Sequence, residues 1–153
     1  MNCQAALAAA IFLVSTLSAL AQEKKIDSST LPLVVQKTVQ EQSKGATIKG
    51  YSTEREHGKV VYEVEMMMDG HSKDIQIAED GTLNEIEEEV AFASLPANVQ
   101  SALTAKAGGA KITKVESLTK HNKLVAYEAT TLQGIKKGEI QVGPDGGKLS
   151  HEE

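Results

Sequence analysis

The chain has little of what most functional classes require. Its one cysteine, Cys3, stands at the extreme start, tryptophan is absent, and aromatic residues make up 3% of the sequence. With so few rings there is little surface on which bases or sugars would stack. Arg55 is the single arginine and the net charge is −5, which excludes a phosphate-rich partner, because nucleic-acid affinity comes from clustered Lys and Arg. Long hydrophobic runs are also scarce. The one candidate, Ala5 to Leu20, is uncharged and ends in Ala19-Leu20-Ala21 before Gln22; it falls short of the roughly 20 apolar residues of a spanning helix and carries the A-x-A pattern of a signal-peptidase site. Residues 1–21 therefore read as a signal peptide, although Met1-Asn2-Cys3-Gln4 offers no Lys or Arg. Cleavage removes Cys3 and leaves a mature chain with no disulfide, thiol nucleophile, thiolate ligand or membrane span, in a periplasmic or secreted setting.

What is present is repetition. Leu31-Pro32 recurs as Leu95-Pro96, Val35-Gln36 as Val99-Gln100, Gly45-Ala46 as Gly109-Ala110, Tyr62-Glu63 as Tyr127-Glu128, Ile75-Gln76 as Ile140-Gln141 and Asp80-Gly81 as Asp145-Gly146. A shared order of landmarks predicts two copies of one supersecondary unit. Thr30 and Ser94 precede the Leu-Pro pairs and read as helix caps with proline in the first turn. Leu31, Val35 and Val39, like Leu95, Val99 and Leu103, then form one apolar stripe. Beyond each helix the period becomes two: Val60, Tyr62, Val64, Met66 and Met68 alternate with Glu63 and Glu65, as on a half-buried strand. His57-Gly58 and His121-Asn122 read as hairpin turns, and the spacing of Ile112, Val115 and Leu118 predicts a bulge. The expected fold is α+β, two tandem helix-plus-antiparallel-sheet units with both helices on one face. Its divisions are an N-terminal segment 22–30, units at 31–83 and 95–153, and an acidic linker 84–94 holding Glu85-Ile86-Glu87-Glu88-Glu89.

Leu-Pro opening a short helix, a Tyr-Glu strand and a strand closed by Asp-Gly resemble the PepSY domain, and two copies behind a signal peptide resemble the PepSY-like proteins of the bacterial envelope. The architecture is also similar to that of the beta-lactamase inhibitory protein. The second copy departs from the first, with Ala129-Thr130 in place of Val64-Glu65. The resemblance implies a non-enzymatic binding module outside the cytoplasm, with a peptidase or other envelope enzyme as its partner, inhibited or modulated by contact.

Residue chemistry by itself offers no catalytic constellation. There is no His-Glu-x-x-His, and the four histidines His57, His71, His121 and His151 are scattered through turns and tail. His57 and His121 are equivalent by the repeat and are the residues to test for a periplasmic sensor or carrier of a small ligand or metal, but two imidazoles are too few to favour a metal centre. In Met66-Met67-Met68 alternate residues point to opposite faces, so Met66 and Met68 read as core rather than copper ligands. No cofactor and no metal are expected. What remains is the sheet face away from the helices, where Val61, Glu63, Glu65 and Met67 of the first copy and Ala126, Glu128, Thr130 and Leu132 of the second form the expected partner-binding surface.

Overall fold

The computed structural model describes residues 23–153 except His57 and Glu152; the expected signal peptide lies outside the described residues. Helix α1 (Leu33–Gln42) buries Val35 and Val39, and helix α2 (Ala97–Ala107) buries Val99 and Leu103, as the four-residue spacing requires. Each helix starts later than the sequence suggests. A residue before proline is driven out of the helical region, and Leu31 and Leu95 are extended, leaving Pro32 and Pro96 at the N-cap positions. Thr30 and Ser94 do not cap these helices. They close short 3-10 turns at Ser28–Thr30 and Phe92–Ser94, and each hydroxyl donates back to a main-chain carbonyl, of Asp27 and Ala91, at 2.7 Å. The carbonyls of Leu31 and Leu95 are instead met by side-chain amides, Gln36 Nε2 at 2.8 Å and Gln100 Nε2 at 2.9 Å. A partly buried carbonyl left unpaired is costly, which gives the recurring Val-Gln pair its physical reason.

The strands are β1 (Lys24–Lys25), β2 (Thr47–Glu56), β3 (Lys59–Met68), β4 (His71–Ala78), β5 (Leu83–Glu89), β6 (Lys111–Lys120), β7 (Lys123–Gln133) and β8 (Lys136–Val142). They form one eight-stranded sheet in chain order, every neighbouring pair antiparallel. The expected bulge is present: the β6–β7 register slips between Ile112 and Lys114. Strand β5 corrects the sequence reading, because the segment expected to be a solvated acidic linker pairs with β4 on one side and β6 on the other. Its alternation is real but masked by its composition, with Ile86 packed under α1 and Glu85, Glu87 and Glu89 turned to the other side.

Both helices lie on the same side of the sheet. Leu31, Val35 and Val39 pack on Val64, Met66, Ile75 and Ile77, and Leu95, Val99 and Leu103 pack on Val115, Ala129 and Val142. Tyr62 and Tyr127 border these clusters. Met66 is buried as expected, while Met67 and Met68 are both half-buried.

The Asp-Gly turns fasten the helices down. Gly81 and Gly146 have φ of +86° and +76°, and a Cβ on either would stand 2.9 Å from the Val34 carbonyl oxygen or 2.7 Å from that of Asn98. Thr38 Oγ1 donates to Gly81 O at 2.7 Å, and the Asn98 amide donates to Asp145 O. Gly70 has the same φ as Gly81 with open space around it, so Gly70→Ala measures backbone strain alone, about 1–2 kcal/mol. Gly81→Ala and Gly146→Ala are expected to exceed that by at least about 1 kcal/mol each, because the helix backbone cannot yield. Urea denaturation of the three variants checks this; equal losses in all three would show that the turns do not clamp the helices.

Candidate binding face

Both helices pack on one side, and among the described residues no helix covers the other side, where the strands present every second side chain. Register places Glu65, Asp74 and Glu87 in one cross-strand row. The next row runs Glu89, Glu116, Glu128 and Gln141. Like charges directly opposite one another repel, so this face is held together against its own electrostatics by the core beneath it.

The carboxyl groups register that cost. Burial, reinforced by Glu85, Glu116, Glu128 and Asp74, pushes Glu87 up to about 8. Burial also raises Glu63, Asp74, Glu128 and Glu54 above their ordinary values, with neighbouring carboxylates adding to the shift. Hydrogen bonds offset part of it: Ser52 Oγ donates to Glu63 at 3.2 Å and Gln141 Nε2 donates to Glu128 at 2.7 Å. Two lysines enter the field, Lys114 at 2.6 Å from Glu116 and Lys120 at 3.6 Å from Glu85. A broad depression of about 1050 Å³ opens on the face toward the end that carries the β2–β3 and β6–β7 turns, with Glu54, Glu63, Asp74, Glu87, Lys120 and His121 on its walls.

The chain beyond β8 folds onto this same side. Gly143 N–H donates to Gly147 O at 2.8 Å in a tight reversal, Glu153 N–H donates to Gln141 Oε1 at 2.8 Å, and the Glu153 carboxylate lies 3.3 Å from Lys120. Gln141 is thereby 8% exposed and joins the tail to Glu128.

The expected surface residues fare unevenly. Glu65 is exposed, and Glu63, Met67, Glu128, Thr130 and Leu132 are partly buried. Val61 and Ala126 are a correction: they lie on this side, but at 4% and 0% exposure they offer a partner nothing. Ala126 is too short to rise above its neighbours and pairs with Leu118, itself buried. Strands β4, β5 and β6 separate the two groups of expected residues, and the sequence reading missed what they hold, the convergence of Asp74, Glu87 and Glu116. The period-2 acidic pattern of Glu85, Glu87 and Glu89 was the signal for it. Of the histidine pair, His121 sits exposed at the β6–β7 turn with φ +49°, and His57 lies outside the described residues.

No family model and no curated protein matches the chain. Solved structures do. A BLIP-like protein of Bacteroides fragilis NCTC 9343 is 22% identical with a TM-score of 0.59, the match covering 80% of this chain and 85% of that one. A candidate periplasmic protein of Bacteroides eggerthii DSM 20697 is 16% identical with a TM-score of 0.63, over 78% and 86% of the two chains. A DUF2874 family protein of Bacteroides ovatus ATCC 8483 is 18% identical with a TM-score of 0.61, over 79% and 86%. At these identities the likeness is one of fold: an antiparallel sheet with two helices, of the BLIP-like kind.

Proposed function

We propose that this chain is a non-enzymatic periplasmic binding module, built from two copies of one PepSY-like helix-plus-sheet unit, which docks on a protein through the bare face of its sheet and modulates an envelope or secreted peptidase. One observation carries the reading: a rigid sheet face is kept open and lined with half-buried carboxylates at an electrostatic cost that no structural need explains. Perturbed carboxyls gathered on one surface are a mark of functional sites. The face is also large enough. Leaving aside the two-residue β1, seven strands of 7 to 11 residues, about 30 Å long on average and about 4.8 Å apart, give on the order of 900 Å², close to one partner's share of a standard interface. The sign of the field favours a partner that brings Lys and Arg. The periplasmic setting and the protein partner are supported by the signal-like segment 1–21 and by the BLIP-like and candidate periplasmic neighbours in structure.

Crosslinked capture from envelope extract tests the face. Glu63→Ala with Glu128→Ala is expected to reduce recovery of the wild-type partner at least about tenfold while the melting temperature shows a folded protein, since a few central contacts dominate such interfaces. A partner recovered equally by wild type and double variant would place the binding surface elsewhere.

The raised carboxyls also set a pH dependence. A carboxyl whose folded pKa is raised binds its proton more tightly in the folded state, so its contribution is full below the unfolded value and lost as pH rises through the folded one. For Glu87 that window runs from about 4.5 to about 8. The protein is therefore expected to lose stability from this group between pH 5 and pH 8.5, on the order of 1–3 kcal/mol. In EDTA-containing buffer, Glu87→Gln should flatten that slope and melt higher than wild type at pH 8.5. Parallel slopes in the two proteins would contradict the assignment.

A further inference from the structure

Beyond docking by the bare face, and independent of it, the edge of the sheet offers a surface complementary to itself. The two edges differ. At one, the two-residue strand β1 covers part of β2; at the other, β8 has no neighbour beyond β7 among the described residues. The two ends of β8 differ as well. Gln141 and Val142 are only 8% and 4% exposed although they stand on an edge, because the tail bonds to the Gln141 side chain and Lys106 Nζ donates to the Gln141 carbonyl at 2.9 Å. Lys136, Lys137, Gly138 and Glu139 are exposed, and an uncovered edge presents a row of unpaired main-chain groups.

One hydrogen bond fixes the direction of those groups. Gly138 O accepts from Oγ1 of Thr131, its direct cross-strand partner on β7, at 3.0 Å, so the Gly138 carbonyl points into the sheet. Main-chain groups alternate along a strand, and those of Lys137 and Glu139 therefore point outward. Side chains alternate too: Ile140 and Val142 pack under α2, which puts Lys137 and Glu139 on the bare side. Neither takes part in an ion pair among the described residues.

A closed dimer formed edge to edge has its two-fold axis perpendicular to the sheet, so it pairs residues of the same side. An axis at residue 137 sets Lys137 against its own copy. One at residue 139 sets Glu139 against its own copy and runs Lys137 against Gln141, at the covered end. Both registers place like charges opposite each other. An axis at Gly138 sets Lys137 opposite Glu139 twice over, each pair exchanging main-chain hydrogen bonds, with two glycines at the centre. Lysine alone on an edge deters pairing, whereas lysine and glutamate on either side of a glycine complement themselves in this register. We propose that β8 pairs antiparallel with β8 of a second copy about a two-fold axis at Gly138, joining two sheets into one with every helix on the same side. The pairing spans only residues 136–140 and is smaller than a standard interface, which sets the dissociation constant on the order of 10–100 µM.

Sedimentation equilibrium of the mature chain, residues 22–153, tests this. Wild type is expected to show a reversible monomer–dimer equilibrium. Lys137→Glu and Glu139→Lys each turn both attractive pairs into like-charge ones and should weaken the dimer at least about tenfold. Carried together, the two reversals should restore the dissociation constant to within about threefold of wild type. An equimolar mixture of the two single variants should form a heterodimer tighter than either homodimer. Under oxidised glutathione, Gly138→Cys should yield a disulfide-linked dimer, since the mature chain has no other cysteine, and Lys136→Cys, which falls opposite Ile140, should not. All four positions are exposed, so the variants are expected to melt within about 2 °C of wild type. Wild type that stays monomeric at about 1 mM, single reversals that dimerise like wild type, a double reversal as weak as the singles, or assembly that continues past the dimer would overturn the proposal.

Discussion

The acidic strand β5 at the middle of the sheet is the constraint on which the rest depends. It is the element that joins the two helix-bearing halves, through five residue pairs from Glu85 with Lys120 to Glu89 with Glu116. The ladder extends beyond the strand at both ends, with His121 N–H donating to Asn84 O at 3.1 Å and Val90 N–H to Val115 O at 2.9 Å. A strand of glutamates in a central position costs free energy through like-charge rows. What holds it there is main-chain pairing on both edges, Ile86 under α1, and two ion pairs, Lys73–Glu88 at 3.1 Å on the helix side and Lys120–Glu85 on the bare side. The charge that looks like a defect of the fold is the property that distinguishes its open surface.

The two sides of the sheet divide labour. On the helix side, Leu, Val, Ile and Met side chains fill two clusters, and the stability of the domain is concentrated there by the burial of apolar area. On the other side the polar rows rest on a backbone fixed from beneath, so their carboxylates are preorganised and cannot drift apart to relieve repulsion. A partner arriving with positive charge meets groups already in place and avoids part of the ordering cost of binding.

Much of this was readable from sequence where a physical rule acts locally. The stripe of Val35 and Val39, the alternation through Tyr62, Val64 and Met66, and the turn at His121-Asn122 all appear where spacing placed them. The helix starts were misread because Leu-Pro imitates a cap-plus-proline opening, while the steric effect of proline on the leucine ahead of it pushes the true start to Leu33 and Ala97. Strand β5 was hidden for two reasons: consecutive glutamates suggest solvent, and a register slip between Gln76 and Ile77 of its partner breaks the alternation at Asn84. The convergence of Asp74 with Glu87 and Glu116 was beyond reach, because it depends on which strand lies beside which, and one misassigned linker removes the central strand from the sheet.

Sheet order and chain order coincide in this molecule. Each strand pairs with the strand before it in the chain; five of the seven pairs close through short turns, while β1–β2 and β5–β6 close across α1 and α2, so most of the pairing carries a low entropic barrier for an all-antiparallel sheet. A polypeptide of this topology can assemble progressively from its amino-terminal end, each new hairpin growing on a finished edge, without waiting for its last residues.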